Sequence, residues 1–456
     1  MSFFAKPVPT PGQARGRLFA AHATAFPTRT SAAYGPRLAI EPLRGLLLWL
    51  TGFACAFVFI EPSPYEVAAI LTILLFVITG LSLRAQLAPL LLILVLINAG
   101  YAIAVVQVSD DQKAVNWVLI SLFLAVTAIF YAAMLGDNTQ RRLELLLRGY
   151  LAAALVASLA ATAAYFRLLG SASDLFVLYG RARGTFNDPN VLGSFLIMPA
   201  LLLFRRMVAG DRLLRSGLML LVLLVGVFLT FSRGAWAQLV VSGMLLMTVA
   251  FLASHSAGER LRIVLVVVGG MLAMAALLAA LLSMGQVSEL FSERAALEQD
   301  YDAGHFGRFG RYALGAQIAL DHPLGIGPLQ FYKIFIEDPH NTFLNDFLSG
   351  GWLAGFGYLA LSAVTLVAGI RFLRVSTPWQ SIYQAVYAAY VGVIAESLIV
   401  DIDHWRHYFL ILGVLWGLMA ATRRAAGATA GAALPPQAAP ECHGLRCARP
   451  SVLSIR

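Results

Sequence analysis

Long apolar runs separated by short polar connections are the feature that most constrains the fold of this chain. A helix needs about 20 residues to cross the hydrocarbon core of a bilayer, and these runs are long enough to do so. With 59% hydrophobic and 12% charged residues, the chain is also too apolar for a soluble protein. The pattern predicts an all-α polytopic membrane protein with about 12 transmembrane helices. We centre these helices near residues 43–60, 64–83, 86–106, 114–134, 147–166, 190–204, 214–231, 235–253, 263–285, 345–372, 381–400 and 405–422.

The order of the apolar runs divides the chain into consecutive parts. Residues 1–42 are polar and basic and lack the apolar core and small-residue cleavage site of a signal peptide, which favours a cytoplasmic tail. Nine predicted transmembrane helices occupy residues 43–285, and three more occupy 341–422. Between them, residues 286–340 form a large loop subdomain on the outer side. Residues 423–456 are rich in Ala, Pro and Gly, which is typical of a disordered cytoplasmic tail.

The net charge of +9 is unevenly distributed. If both termini are cytoplasmic, most of the 33 Lys and Arg residues fall on the cytoplasmic side, whereas the outer side has more acids than bases. This asymmetry follows the positive-inside rule and supports a multi-pass protein with both termini inside. Because topology accounts for the charge, the composition does not indicate a nucleic-acid-binding protein.

Two outer connections are longer than a compact helical bundle requires. The first, about residues 167–189, contains the sequence RARGTFNDPN, which starts at Arg181. The second is the 286–340 loop, in which a Gly/Pro turn at 321–328 lies among helical patterns. Those helical patterns occur at residues 293–297, 306–320 and 329–336. Loops of this length are usually functional or disordered, and this composition favours a folded segment over the outer membrane face.

The sequence DPHNT at residues 338–342 joins the long loop to the next apolar helix. A proline followed by small polar residues predicts a helix start, with Asn341 or Thr342 as the N-cap. His340 then lies at the positive end of a helix dipole, which disfavours imidazolium and leaves a ring that can accept a proton near pH 7. His340 is therefore a candidate general base, although a lone histidine at a helix start is more often a structural residue.

A few arginines remain on the outer side, where the positive-inside rule disfavours them, and they are candidates for binding an anion. Arg233 lies in a tight turn between two apolar runs, where its guanidinium can bind phosphate oxygens in a bidentate manner or can snorkel to lipid headgroups. Arg181 and Arg183 flank Ala182. We expect one of them to contact an anion and the other to pack or to pair with Asp188.

Arg308 and Arg311 are three residues apart and therefore share a face of a predicted helix. Both are candidates for anion binding. The alternative is pairing with Asp300, Asp302 or Asp321, which we favour for Arg311.

Three acids near the last apolar run are candidates to orient His340. Asp401 and Asp403 lie in the polar sequence DIDHWRH, and Glu396 lies inside the preceding apolar run, where an ionisable residue favours a functional role. Each could accept the second ring N–H of His340 and so fix its tautomer. The same mixture of carboxylates and imidazoles could bind a metal, but these neighbouring residues lack a metal-site spacing, so we predict no metal and no other cofactor.

Taken in order, these motifs resemble the O-antigen ligase and O-antigen polymerase superfamily of bacterial envelope glycan enzymes, and O-antigen ligase most of all. The matching pieces span about residues 180–352. They are the RARGTF and DPN segments that start at Arg181 and Asp188, Ser232-Arg233-Gly234, Arg308-Phe309 with Tyr312, HPLGIG from His322, PHNTFL from Pro339, and Gly350-Gly351. The chain departs from the family in having Tyr312 where Trp is frequent.

The resemblance implies a metal-independent membrane glycosyltransferase of the bacterial inner membrane. Its donor is a glycan linked to polyprenyl (undecaprenyl) diphosphate, used at an active site that faces the periplasm. The implied site consists of His340, which activates the acceptor hydroxyl; Arg183, Arg233, Arg308, Arg181 and Arg311, which bind the diphosphate; and Asp401, Asp403, Glu396 and Asn341, which support them.

The acceptor distinguishes two related activities, and the shared motifs leave both open. A ligase transfers the polysaccharide to lipid A-core, whereas a polymerase transfers it to a second carrier-linked glycan. A transporter or flippase is a further alternative, but the sequence shows no repeated halves of the kind such proteins often have. The expected partners are therefore the lipid-linked donor, one of these acceptors and membrane lipids, without nucleic acid.

Overall fold

A computed structural model of the protein describes residues 35–60, 62–254, 256–295, 307–335 and 337–432. This part of the chain is almost entirely α-helical. Its helices are α1 (Gly35–Ala54), α2 (Pro64–Ile78), α3 (Ala88–Val105), α4 (Gln112–Met134), α5 (Thr139–Tyr165), α6 (Pro189–Val208), α7 (Leu213–Leu229), α8 (Arg233–Ala253), α9 (Ala257–Leu282), α10 (Gly285–Ala295), α11 (Arg308–Asp321), α12 (Phe331–Phe335), α13 (Thr342–Ile370), α14 (Gln380–Glu396) and α15 (Arg406–Ala432). Two short antiparallel strands, β1 (Val177–Leu178) and β2 (Arg181–Ala182), form a hairpin in which Leu178 pairs with Arg181.

Each apolar run predicted to cross the membrane coincides with one of these helices. Within the described residues, eight helical segments are long and apolar enough to span a bilayer, and α2 and α7 are shorter apolar helices. Many large apolar side chains stay exposed on the helices, among them Leu92, Leu214 and Met271. Such a surface suits contact with lipid tails. The prediction of an all-α polytopic membrane protein is confirmed.

The helices extend beyond two of the predicted boundaries. α1 begins at Gly35, inside the predicted tail, where Pro36 suits the first turn of a helix. α15 continues to Ala432, so the predicted disorder of residues 423–456 is wrong for 423–432. Those residues are rich in alanine, which has the highest helix propensity. The remaining residues of both predicted tails lie outside the described ranges.

The described part of the 286–340 loop is folded, as expected, and contains α10, α11 and α12. The Gly/Pro turn after α11 is bonded to α13 by two backbone hydrogen bonds of 2.8 Å, from Ile326 N to Leu348 O and from Trp352 N to Pro323 O. Residues 296–306 and 336 lie outside the described ranges. The loop is therefore attached to the membrane helices rather than extended away from them.

α13 packs closely along α3, and this contact fixes the first turns of α13. A Cβ atom on Gly100 of α3 would lie 2.6 Å from the carbonyl oxygen of Gly350, so only glycine permits this approach. Tyr101 of α3 donates a hydrogen bond to Asp346, which is fully buried in α13. α13 is interrupted at Gly351, whose φ of 67° and ψ of −164° are not helical.

Polar contacts between distant loops gather at one end of the bundle, which we call the His340 end. They join the β1–β2 hairpin, the α7–α8 turn, the α10–α12 segment and the loop between α14 and α15. Representative contacts are Thr185 Oγ1 to Ala56 O, Arg181 Nε to Thr230 O at 2.7 Å, Lys333 Nζ to Asp111 Oδ2 at 2.7 Å, and Thr342 N to Ser397 O at 2.9 Å. The opposite end carries the α6–α7 and α13–α14 connections.

Candidate functional site

The His340 segment, residues 338–342, forms a capped entry into α13. The side chain of Asn341 accepts a hydrogen bond of 3.1 Å from Leu344 N, so Asn341 is the N-cap, one of the two residues predicted for this position. His340 itself has a φ of 52°, in the left-handed region that few residues other than glycine adopt. Tyr312 of α11 donates a hydrogen bond of 3.2 Å to the His340 carbonyl oxygen. These hydrogen bonds hold the backbone of His340 and Asn341 in place.

The α14–α15 loop, residues 397–405, fixes the His340 segment from a second side. Several hydrogen bonds join the loop to the His340 segment. These hydrogen bonds run from Thr342 N to Ser397 O (2.9 Å), from Thr342 Oγ1 to Val400 O (3.0 Å), from Ile402 N to Thr342 Oγ1 (2.9 Å) and from Asn341 Nδ2 to Leu398 O (3.0 Å). The position of His340 thus depends on how this loop docks.

Asp401 is the predicted carboxylate that the structure brings to the imidazole. Its Oδ2 lies 3.6 Å from His340 Nδ1, an electrostatic contact slightly longer than a hydrogen bond. The side chain of His340 is 40% exposed, so the ring also faces solvent. Burial, together with the nearby charges of Asp403 and Asp338, raises the pKa of Asp401 well above its ordinary value. Burial and Asp403 likewise raise the pKa of Asp338 to about 6.

Asp403 faces different partners from Asp401. Its Oδ2 accepts a hydrogen bond of 3.0 Å from Asn345 Nδ2, and its Oδ1 lies 3.6 Å from His404 Nδ1. Among the residues that the structure describes, no three His, Cys, Asp or Glu side chains form a group that could hold a metal ion. Asp403 thus contacts Asn345 and His404, and its charge affects Asp401.

The Arg233 turn lies against the end of α14. Arg233 is half-buried at the first position of α8. A Cβ atom on the next residue, Gly234, would lie 2.7 Å from Glu396 Oε1, so the turn and the buried Glu396 are in close contact. Glu396 immediately precedes Ser397, which binds the His340 segment through Thr342. The Arg233 turn and the His340 segment thus contact the same stretch of chain at the end of α14.

Arg181 joins the β1–β2 hairpin to the Arg233 turn. Its Nε donates to Thr230 O at 2.7 Å, and its Nη2 donates to Asn190 Oδ1 at 2.8 Å. Thr230 ends α7, just before the turn. Arg181 thus contacts the residue before the Arg233 turn, Glu396 packs against Gly234 in that turn, and Glu396 adjoins Ser397, which binds the His340 segment.

Arg183 points along the hairpin instead. Its Nε donates to Leu175 O at 3.3 Å, and its side chain is half-buried. Packing or pairing with Asp188 was expected for one of the two hairpin arginines, and the described contacts are those of Arg183 with Leu175 O and of Arg181 with Thr230 O and Asn190. Asp188 caps α6 by accepting a hydrogen bond of 2.6 Å from Asn190 N, because the carboxylate suits a helix N-terminus.

Arg311 is buried in an ion pair, but not with a predicted partner. Its Nη1 lies 2.7 Å from Glu337 Oε2. Asp321 ends the same helix, roughly 15 Å further along the helix axis, which puts it out of reach. The predicted partners Asp300 and Asp302 lie outside the described residues. Arg308 begins α11, but its side chain also lies outside the described part of the structure.

Other bases at the His340 end are engaged in ion pairs within the protein, which makes them weak candidates for binding a substrate. These pairs are Arg406 with Glu66, Lys333 with Asp111, Arg167 with Asp174, and Arg294 with Glu293.

Sequence reasoning missed a buried polar pair beside the site, Asp346 with Tyr101. Asp346 lies one turn into α13, next to Asn345, which binds Asp403. An acid inside an apolar run is a signal of a functional residue. Glu396 meets this criterion, and Asp346 meets it equally well.

Comparison with protein families matches residues 218–359 to the O-antigen ligase family. The match runs from α7 into α13 and includes the Arg233 turn, the long loop and the His340 segment. It confirms the resemblance to the O-antigen ligase and polymerase superfamily that the motifs indicated. No curated protein matches the chain.

Proposed function

We propose that the protein, which carries this O-antigen ligase domain, moves a polysaccharide from an undecaprenyl diphosphate carrier to lipid A-core on the periplasmic face of the bacterial inner membrane. The family match and the apolar helices support a membrane enzyme of the ligase or polymerase type. The observation that carries the proposal is that the His340 segment and the Arg233 turn contact the same stretch at the end of α14. In this proposal, the base and the fixed cation act on one substrate beside that stretch.

In the proposed reaction, an acceptor hydroxyl oxygen attacks the anomeric carbon of the donor glycan. The bond from that carbon to the diphosphate oxygen breaks, and the carrier diphosphate leaves with the bonding electrons. His340 takes the hydroxyl proton. A positioned base of this kind typically contributes about 10²–10⁴-fold to a rate.

Asp401 serves as the positioning residue for His340. It lies on the Nδ1 side of the ring at 3.6 Å, and we assign the proton transfer from the acceptor hydroxyl to Nε2. The tight turn at His340 and the hydrogen bond from Tyr312 fix the backbone that carries the ring. Asn341 contributes by capping α13 and binding Leu398 O.

The arginines balance the charge that develops on the leaving diphosphate. A guanidinium can hold two phosphate oxygens at once and keeps its charge at any working pH. We assign this role to Arg233, with Arg183 and Arg308 as further ligands, while Arg181 positions the turn through Thr230 O. Fixed cations in a site with little water stabilise such charge strongly. The proposed transfer therefore needs no metal, and we expect activity to persist in the presence of a chelator.

An apolar groove beside the Arg233 turn suits part of the polyprenyl chain. It lies among α7, α8, α9 and α10 and has a volume of about 240 Å³. Phe228, Trp236 and Phe291 line its end nearest the turn. A carrier with its diphosphate at Arg233 could extend its tail along these side chains.

The acceptor is tested with purified protein in detergent, given a carrier-linked glycan and either lipid A-core or a second carrier-linked glycan. Transfer to lipid A-core supports the ligase. Transfer only to the second carrier-linked glycan supports the alternative, an O-antigen or exopolysaccharide polymerase. Detergent leaves no compartments, so a flippase produces no new glycosidic bond in either reaction.

A further inference from the structure

A partly enclosed cavity of about 50 Å³ lies at the end of the bundle opposite His340. It forms where the last turn of α6 meets the first turn of α14. Arg205 and Arg206 of α6, Asp211 of the following turn, and Ser381 and Ile382 of α14 line it. The proposed glycan transfer uses none of these residues.

The two arginines of this cavity differ in what they do. Arg206 stabilises the α6–α7 turn, since its Nη2 lies 3.3 Å from Asp211 Oδ2. The Nε atoms of both Arg205 and Arg206 are buried with no hydrogen-bond acceptor among the described residues. Glu259, in the first turn of α9, attracts Arg205 electrostatically. Arg206 is thus already paired with an acid of the lining, whereas Arg205 brings a positive charge to the cavity.

The first turn of α14 adds neutral donors on the other side of the cavity. The first N–H groups of a helix have no partner within the helix, and they form its positive end. At the N-cap of α14, Trp379 provides no side-chain hydrogen bond to them, while Gln380 N donates to Thr377 O at 3.1 Å. Ser381 and Ile382 occupy the second and third positions of the helix and line the cavity.

We propose that this cavity binds one phosphate group, either from the headgroup of an anionic phospholipid or as inorganic phosphate. A guanidinium, a serine hydroxyl and an uncapped helix N-terminus are donors that phosphate oxygens commonly use. The carboxylate of Asp211 opposes an anion, but its ion pair with Arg206 offsets its charge. The predicted topology puts the cavity at the cytoplasmic face, within reach of inner-leaflet headgroups.

The test uses the full-length protein in a nonionic detergent and two probes. Native mass spectrometry measures binding of dihexanoyl phosphatidylglycerol, and equilibrium dialysis measures binding of labelled inorganic phosphate. The variants are Arg205→Gln, which removes the charge, and Ser381→Leu, which fills the cavity and keeps both arginines. Arg215→Gln is the matched control, because Arg215 is an exposed arginine at the same end and outside the cavity.

We expect Arg205→Gln and Ser381→Leu to weaken binding of one probe by about tenfold or more, and Arg215→Gln to leave it unchanged. The probe that responds identifies the source of the phosphate. A purely structural role, in which the arginines stabilise the end of α6, predicts a lower melting temperature with unchanged binding. Unchanged binding in Arg205→Gln and Ser381→Leu would overturn the proposal. An equal loss of binding in all three variants, or no binding of either probe, would also overturn it.

Discussion

Replacing Gly351 with alanine tests whether the break in α13 and the turn that follows α11 form one unit. Gly351 has a φ of 67° and a ψ of −164°, a conformation that residues with a Cβ atom rarely adopt. An ideal Cβ on Gly351 would lie 2.4 Å from Pro323 O, 2.5 Å from Leu324 C and 2.8 Å from Gly325 N. All three are backbone atoms, so no side-chain rotation relieves the contacts.

The cost of Gly351→Ala follows from two contributions. Strained backbone of this kind costs about 1–3 kcal/mol, and overpacking a tight contact costs a further 1–3 kcal/mol, or about 2–6 kcal/mol together. Relief requires the 323–325 turn to move, which breaks the hydrogen bonds from Trp352 N to Pro323 O and from Ile326 N to Leu348 O. We therefore expect a clearly lower melting temperature and weaker attachment of the long loop.

The assay is thermal unfolding of purified protein in detergent, with Gly243→Ala as the matched control. No heavy atom lies within 4 Å of an ideal Cβ on Gly243 in α8. The control should match wild type or melt slightly higher, because alanine favours a helix interior by about 1 kcal/mol over glycine. If Gly351→Ala melts at the wild-type temperature, the close packing described at this position is wrong.

Three further predictions concern the His340 end. Arg233→Lys should lower the rate of transfer by about tenfold or more, because one ammonium cannot reproduce a bidentate guanidinium; an unchanged rate would favour a lipid-headgroup anchor. Asp401→Asn should lower kcat by about tenfold or more with little change in KM, since it removes part of the ~10²–10⁴-fold that a positioned base supplies; an unchanged kcat would remove Asp401 as the positioning residue. Asp338→Asn should raise the melting temperature more at pH 7.5 than at pH 5. The folded-state pKa of Asp338 is raised from 3.8 to about 6, so the protonated acid is favoured in the folded protein and stability falls as pH rises through this window. An equal shift at both pH values would contradict this.

The helices of this protein are predictable from its sequence because apolar runs of sufficient length have no other stable form in a membrane. The start of α13 is predictable for a local reason, since a cap depends on a few neighbouring residues. The end of α15 is not, because the Ala-rich sequence after residue 422 suits both a disordered tail and a continued helix.

The partners of the charged side chains are less predictable, because docking between distant segments decides them. The sequence does not show which of three carboxylates near the last helix lies next to His340. In the structure this carboxylate is Asp401. Asp403 instead accepts a hydrogen bond from Asn345, and Glu396 packs on the Arg233 turn. The pairing of Arg311 with Glu337 likewise depends on how α11 lies against the His340 segment. Local sequence supplies the candidates, and tertiary contacts select among them.

The central proposal, that His340 activates the acceptor hydroxyl, is tested most directly by the transfer rates of His340→Ala and His322→Ala. His322 is a matched control, because it is an exposed histidine of the same loop whose Nδ1 contacts Ile318 O, one turn earlier in the chain, at 3.0 Å. Both variants are purified in detergent and given the carrier-linked donor and the acceptor that wild type uses. We predict that His340→Ala loses about 10²–10⁴-fold in rate while melting like wild type, and that His322→Ala keeps its activity. A folded His340→Ala variant that transfers glycan at close to the wild-type rate would contradict the proposed role of His340.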